Sequence, residues 1–380
     1  MATPPDTSDP VVAGRLDSLL RRWIERSRRL RHGLLGISAV DGPWAWQGAH
    51  GDLDEQGTPA TTRARYPIAS VTKLFTATAV LLGVEQGRWR LEDRLVDLLP
   101  HETTRALHVT KGLDLTDKIT LAHLLDHTSG LPDYYEEAPR GARSPQARLL
   151  AGEDAPVPFD EVLRLVREDL TPHFPPQPPD SPRVRARYAD TNYQLLGAAL
   201  EQLHGRALAE VFDEAIFAPL GLDDTSSYPH APRSGRSPEP DARIWSKDTV
   251  LRPDGALRHQ VADGGIVSTL DDQLRFLTAL VSGGVFQDPA TWPRMQRRFN
   301  RVFFPVEYGL GVMRYAPPRW MSPTFAVPPV VGHTGSTATW LFHCPDLGVV
   351  LAGTFDVASP PVPFRFLPRV LRLVAQRSRT

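Results

Sequence analysis

The sequence predicts a mixed α/β fold of the α+β kind, in which one antiparallel sheet is flanked by helices and a mainly helical subdomain is inserted. Three observations support it: strand-like runs near both ends of the 380-residue chain, a helical block between them, and a final amphipathic helix. Strands from both ends must bury their apolar faces against another layer, and one shared sheet achieves this. We therefore predict an N-terminal tail and helix packing on the sheet at 1–32, an α/β subdomain at 33–90 and 265–380, and an inserted helical subdomain at 91–264.

Hydrophobic spacing predicts the elements of the N-terminal part. Residues 34–54 have the pattern of two strands joined by a turn at the Asp-Gly-Pro sequence 41–43. Residues 70–87 predict a long, mostly apolar helix with Gly87 as its C-cap. An amphipathic helix is predicted within residues 11–31, where apolar side chains recur at helical spacing, namely Leu16, Leu19, Leu20, Trp23 and Ile24.

The rest of the chain alternates helical signals with loops and then returns to strands. Two proline-rich stretches, 172–188 and 228–243, cannot form regular helix or central strand, so we predict loops there that act as lids over a cleft. Clefts between subdomains are common ligand sites. Strands are predicted at 308–315, 337–345 and 348–356, and a final helix at 365–376.

Composition excludes several function classes. A formal net charge of −1 argues against a nucleic-acid binder, which usually carries a basic face. Cys344 is the only cysteine, so no internal disulfide can form. No signal peptide and no run of about 18 apolar residues is recognisable, which predicts a cytoplasmic protein without a membrane partner. His123 and His127 lack the glutamate of a zincin motif, and no nucleotide-binding glycine pattern occurs, so neither a metal nor a cofactor is expected.

One lysine stands out. Only four of the 43 basic residues are lysines, and Lys73 lies within a mostly apolar stretch, three residues after Ser70. Positions i and i+3 share one face of a helix, so the two side chains can meet. Serine needs a neighbouring base to become a nucleophile, and lysine can lose its proton whereas arginine cannot. Ser70 as an N-cap with Lys73 on the surface is the alternative.

Two further segments extend this pair. Tyr188 follows the first proline-rich stretch, and a tyrosine near a cationic lysine can be held partly as phenolate and act as general base or acid. The sequence GHTGSTATW, residues 332–340, is expected to open a strand, and its glycines let a substrate backbone lie close. The N–H of Ser336 is then a candidate oxyanion donor. Taken singly, Tyr188 suits a packed aromatic and His333 a hydrogen-bonded histidine.

The order of these motifs resembles the signature of the serine β-lactamase and penicillin-binding protein superfamily: Ser-x-x-Lys, Tyr-x-Asn, then Lys/His-Thr-Gly. HLLDHTSGLPDY at 123–134, DGGIVSTLDDQLRF at 263–276 and YGLGV at 308–312 are similar to the branch of class C β-lactamases, D-alanyl-D-alanine carboxypeptidases, D-aminopeptidases and β-lactamase-like esterases. The resemblance extends over residues 33 to 356 and implies a β-lactamase-like fold.

The resemblance also implies roles for individual residues. Ser70 corresponds to the acylated nucleophile, Lys73 to its proton acceptor and Tyr188 to the proton shuttle toward the leaving group. The N–H groups of Ser70 and Ser336 correspond to the oxyanion hole. The family's substrate-binding positions fall on Asp190, His333, Thr334 and Gly335.

One position departs from the family pattern, because Asp190 stands where Asn is usual. An ionised aspartate can only accept hydrogen bonds, and beside Lys73 it favours the charged ammonium and weakens the base. It can instead pair with a cationic amine of the substrate. The departure argues against β-lactamase activity more than against acyl-enzyme chemistry.

Three functions fit these patterns. The first is a serine hydrolase that forms an acyl-Ser70 intermediate from an amide, an ester or a D-amino-acid peptide. The second is a biosynthetic acyltransferase, or a thioesterase or cyclase of the penicillin-binding-protein type, that passes the acyl group to an amine or alcohol. The third is a non-catalytic ligand sensor with the same fold. Each predicts a small-molecule or peptide partner, and the sequence leaves the oligomeric state open.

Overall fold

A computed structural model of the chain describes residues 10–154, 156–178, 181, 184–251, 254–359 and 361–377. Its strands are β1 His32–Ala39, β2 Ala45–Gly51, β3 Tyr66–Pro67, β4 Val109–Thr110, β5 Leu113–Asp114, β6 Ser226–Ser227, β7 Ile244–Ser246, β8 Thr249–Leu251, β9 Ile266–Ser268, β10 Asn300–Phe303, β11 Val306–Tyr308, β12 Met313–Tyr315, β13 Val330–Thr334, β14 Thr339–Cys344 and β15 Val349–Phe355. Its helices are α1 Pro10–Glu25, α2 Thr72–Glu85, α3 Leu95–Leu98, α4 His101–Thr104, α5 Leu121–Leu125, α6 Pro145–Leu150, α7 Phe159–Arg164, α8 Asp190–His204, α9 Leu208–Phe212, α10 Ala218–Leu220, α11 Asp254–His259, α12 Leu270–Val281, α13 Thr291–Met295 and α14 Pro361–Arg377.

The main sheet has eight antiparallel strands in the order β10-β11-β12-β13-β14-β15-β1-β2. The N-terminal strand β1 pairs on one side with β2 and on the other with β15, where Gly33 lies opposite Phe355. The prediction that both ends of the chain build one antiparallel sheet is confirmed, together with the mixed α/β class.

Both faces of this sheet are covered, because successive side chains of its strands point in opposite directions. Leu35 of β1 belongs to the apolar cluster that includes Leu16 and Leu20 of α1 and the buried face of α14. Its neighbour Leu34 belongs to the other cluster, which includes α2 and α12. The sheet therefore separates an outer layer formed by the two terminal helices from an inner layer that carries Ser70 and Lys73.

The segment between β2 and α12 contains the helices α2 to α11 and only short strands. The described residues of the two proline-rich stretches form neither helix nor strand, as expected. The larger core cluster runs through both proposed subdomains, with the rings of Phe75 and Phe217 5.9 Å apart. The subdomain boundaries and the lid role remain predictions. No helix among the described residues is long and apolar enough to cross a membrane.

Three predicted elements are corrected. Helix α1 ends at Glu25 rather than at residue 31. Residues 308–315 are not one strand, since β11 ends at Tyr308 and β12 begins at Met313. Gly311 between them has a φ of 76°, and a Cβ there would lie 2.1 Å from the Cβ of Ala77, so the chain turns where α2 approaches.

The third correction concerns the Gly-His-Thr sequence at 332–334. It ends strand β13 and does not open the following strand, which begins at Thr339. Gly335 and Ser336 therefore lie in the turn between β13 and β14.

Candidate active site

Ser70 lies in a single 3₁₀ turn, Ala69–Val71, that leads directly into α2. The residue before it, Ala69, has a φ of 46°, a left-handed conformation that is uncommon outside glycine. Such backbone strain persists where the surroundings impose it, and it concentrates at functional sites. Here the hydroxyl of Thr339 on β14 donates to the carbonyl of Ile68 at 3.0 Å and ties the turn to the sheet.

Lys73 is fully buried one helical turn after Ser70, as the spacing predicted. Its Nζ donates to Ser70 Oγ at 3.1 Å and to the carbonyl oxygen of Asp263 at 2.7 Å. It also forms an ion pair with Asp190. Burial by itself lowers the pKa of Lys73, but the carboxylates of Asp190 and Asp263 outweigh it and the pKa is raised. Lys73 is therefore an ammonium in the resting site.

Tyr188 is a second side chain near Ser70. The Ser70 side chain is close enough to the phenol of Tyr188 to lower its pKa. Burial and the negative charge of Asp190 raise the pKa of Tyr188 well above its usual value, and the Ser70 side chain only partly offsets this. The sequence-based expectation of a partial phenolate is therefore not met, because Asp190 supplies the opposing charge. Tyr188 therefore keeps its phenol proton in the resting site.

The turn after β13 packs on the segment that leads into Ser70. A Cβ on Gly335 would lie 2.9 Å from both the Cβ of Ala69 and the carbonyl oxygen of Ile68, so only glycine fits there. Ser336 lines the same cleft as Ser70. Among the described residues, the backbone N–H groups of Ser70 and Ser336 have no hydrogen-bond acceptor.

His333 and Thr334 lie deeper than the cleft. His333 is fully buried, accepts from the Tyr308 hydroxyl at Nε2 over 2.9 Å, and donates from Nδ1 to the Thr334 carbonyl over 2.8 Å. Burial, and then the charge of Lys73, lower the pKa of His333 to about 3, so the ring is neutral. Thr334 donates its hydroxyl to the carbonyl of Thr339 at 2.8 Å. The His333 ring stands behind Tyr188, with centroids 6.3 Å apart.

Two buried carboxyl groups near Lys73 were not singled out from the sequence. Asp263 receives hydrogen bonds from the Tyr134 hydroxyl at 2.9 Å and from Gln194 at 3.0 Å. Burial raises the pKa of Asp263 to about 8 although Lys73 opposes the shift. Asp133 is 2% exposed, and burial and Asp190 raise its pKa well above the usual value. Asp133 lies in the segment 123–134 and Asp263 in the segment 263–276. Both segments carry the family resemblance, and that resemblance is the signal that could have indicated the two residues.

The cleft that contains Ser70 has a cavity volume of about 50 Å³. It is lined by acidic and apolar residues, which include Asp190, Asp263, Tyr135, Ile244, Leu251 and Leu257. This volume is below the roughly 300–1,000 Å³ of typical ligand pockets.

No group of three or more His, Cys, Asp or Glu side chains in the described part of the chain is arranged to hold a metal ion. The two histidines weighed above as a metal pair have other partners. His123 Nε2 contacts the Gln177 carbonyl at 2.6 Å, and His127 Nδ1 accepts from the Ala189 N–H at 3.2 Å.

Comparison with known proteins places this geometry in context. A family model described as Beta-lactamase matches residues 20–376. Penicillin-binding protein 4 of Amycolatopsis lactamdurans is 28% identical over 61% of this chain and 55% of its own length. Esterase EstB of Burkholderia gladioli is 30% identical over 71% of this chain and 70% of the esterase.

Among solved structures, the D-amino acid amidase of Ochrobactrum anthropi SV3 matches with a TM-score of 0.74 at 21% identity, covering 97% of this chain and 99% of the amidase. At that identity the likeness shows a shared fold. The chain spans about half the length of penicillin-binding protein 4.

Proposed function

Because the chain belongs to the Beta-lactamase family, we propose that it is a serine hydrolase that acts through an acyl-Ser70 intermediate on an amide, an ester or a D-amino-acid peptide. The observation that carries the proposal is the double contact of one hydroxyl. Ser70 is hydrogen-bonded to Lys73 at 3.1 Å, and its side chain is close enough to the phenol of Tyr188 to lower the pKa of that phenol. A serine between a base and a proton donor is the arrangement that nucleophilic catalysis needs.

Four residues take part in the proposed reaction. Lys73, once neutral, takes the hydroxyl proton of Ser70 as Oγ bonds to the substrate carbonyl carbon. The N–H groups of Ser70 and Ser336, which lack protein acceptors in the described structure, bind the oxygen that becomes negative. Tyr188 gives its proton to the leaving group and is reprotonated from Lys73, and water then cleaves the acyl-Ser70 ester.

The resting site holds Lys73 in its charged form, so the reaction needs a step that frees the amine. A substrate with a cationic amine supplies one, because it competes with Lys73 for the carboxylate of Asp190, which lines the cleft. Loss of that partner lowers the pKa of Lys73. The D-amino acid amidase named above gives the substrate class a concrete form: an amide or ester of an amino acid with a free α-amine.

Intact-mass spectrometry after treatment with a fluorophosphonate tests the nucleophile. We expect one adduct on the wild type and none on Ser70→Ala. A wild type that forms no adduct would favour the sensor function, and an adduct that persists in Ser70→Ala would mean that the nucleophile is another residue. Hydrolysis of aminoacyl p-nitroanilides, compared with their N-acetylated forms, then tests the amine preference.

A further inference from the structure

We propose that His127 is a positioning residue that holds Tyr188 against Ser70. This inference rests on the proposed function, since it gives Tyr188 a part in the chemistry. His127 lies in the loop after α5, is fully buried, and does not line the cleft. It therefore acts on the reaction only through the tyrosine.

His127 binds the backbone on both sides of Tyr188. Its main-chain carbonyl accepts from the N–H of Arg187 at 2.9 Å, and its ring Nδ1 accepts from the N–H of Ala189 at 3.2 Å. One residue thus binds the N–H groups of the two residues that flank the tyrosine. His127 makes these two hydrogen bonds with a φ of 60°. This left-handed conformation is uncommon for a residue other than glycine.

The imidazole ring also sets the position of the phenol. Its centroid lies 4.5 Å from the ring of Tyr188 and 4.4 Å from the ring of Tyr308, and the two tyrosine rings are 5.9 Å apart, so the three rings pack against one another. Aromatic rings at such distances pack in contact. The phenol of Tyr188 is therefore supported from behind while its hydroxyl meets Ser70.

Asn192 and Ser129 keep Nδ1 of His127 as a hydrogen-bond acceptor. The side-chain amide of Asn192 donates to the same Nδ1 at 3.0 Å, and the Ser129 hydroxyl donates to the carbonyl oxygen of that amide at 2.7 Å. With two donors at Nδ1, the ring proton resides on Nε2, which is buried and has no hydrogen-bond partner among the described residues. The hydrogen bonds around this ring therefore satisfy Nδ1 as an acceptor and leave Nε2 unsatisfied in the described part of the chain.

Two substitutions separate the acceptor from the ring. His127→Phe keeps a ring of similar size, but it leaves the buried N–H of Ala189 without its acceptor. His127→Asn keeps an acceptor at the equivalent position and tolerates a positive φ, but loses the ring. We expect kcat on a p-nitrophenyl ester to fall about a hundredfold in His127→Phe and less in His127→Asn, with KM changed little in both.

A double-mutant cycle with Tyr188→Phe distinguishes positioning from a general structural role. If His127 acts through the tyrosine, kcat of the double variant His127→Phe/Tyr188→Phe equals that of Tyr188→Phe. Multiplying losses, an unchanged kcat in His127→Phe, or an effect confined to KM would overturn the inference.

A measurement independent of activity uses 3-fluorotyrosine at position 188 and ¹⁹F NMR of the folded protein. The wild type should give one sharp resonance, which shifts or broadens in His127→Phe while the melting curve stays cooperative. An unchanged resonance in His127→Phe contradicts the inference even if kcat falls. Failure of the fluorophosphonate to label the wild type counts against the proposed function, whereas the NMR result decides the placement of Tyr188 by itself.

Discussion

The substitution Asp190→Asn restores the residue that the family usually has and removes the carboxylate paired with Lys73. The ion pair is almost fully buried, since Lys73 is 0% and Asp190 6% exposed, so water screens it little. Asp190 is the largest of the contributions that raise the pKa of Lys73. Its removal lowers that pKa, so more of the amine is neutral at any given pH.

The size of the effect follows from Coulomb's law. Two unit charges about 4 Å apart attract each other by about 4 kcal/mol at an effective dielectric constant of about 20. Since about 1.4 kcal/mol is a factor of ten, the neutral fraction of Lys73 rises by at most about a thousandfold. The main-chain carbonyl of Asp263 still accepts from Nζ at 2.7 Å and still favours the ammonium. We therefore expect acylation at pH 7 to accelerate by about ten- to a hundredfold.

The assay is the pH dependence of the rate constant for labelling by a fluorophosphonate, which carries no amine and does not need Asp190 for binding. The rate should rise with pH as Lys73 loses its proton, and in Asp190→Asn this rise should occur at lower pH than in the wild type. Asp97→Asn is the matched control, because it removes a carboxylate from an exposed ion pair with Arg94. A pH profile of Asp190→Asn that coincides with that of the wild type would refute a base role for Lys73.

Three other substitutions test separate parts of the structure. Lys73→Arg keeps the charge but cannot accept a proton, so turnover of a p-nitrophenyl ester should be lost; near-normal turnover would contradict the base role. Gly335→Ala introduces a Cβ 2.9 Å from the Ile68 carbonyl oxygen, and kcat should fall about a hundredfold as one oxyanion donor moves, whereas Gly14→Ala, where no atom lies within 4 Å, should leave kcat unchanged. Arg65→Met removes a fully buried guanidinium that donates to loop carbonyls, and urea denaturation should show a loss of about 3 kcal/mol; a loss below about 1 kcal/mol would mean that the loop is held otherwise.

Local geometry explains what could be predicted from the sequence. The contact between Ser70 and Lys73 depends only on helical periodicity, which two positions three residues apart satisfy wherever the helix lies. The sheet formed by both ends of the chain followed from the distribution of apolar runs. The weakening influence of Asp190 on Lys73 followed from its charge and from one motif position.

Features that depend on tertiary placement were missed. The main-chain carbonyl of Asp263 reaches Lys73 only because a distant loop folds back on α2, and no spacing in the sequence encodes that approach. His333 occupies a motif position associated with substrate binding, yet its side chain is buried behind Tyr188. The apolar alternation of residues 308–315 imitates a strand, because glycines at a turn leave the same pattern as small residues in a sheet.

The pairing of β1 with β15 makes activity depend on how far the chain has been synthesised. Gly33 meets Phe355 across the sheet, so β1 can take its place between β2 and β15 only after residue 355 has been synthesised. The turn that carries Ser336 lies between β13 and β14, on strands that form this same late sheet. Contacts between such distant segments close slowly, since loop-closure entropy must be overcome first. A nascent or truncated chain that lacks β13 and β14 therefore contains Ser70 and Lys73 without the turn that carries Ser336.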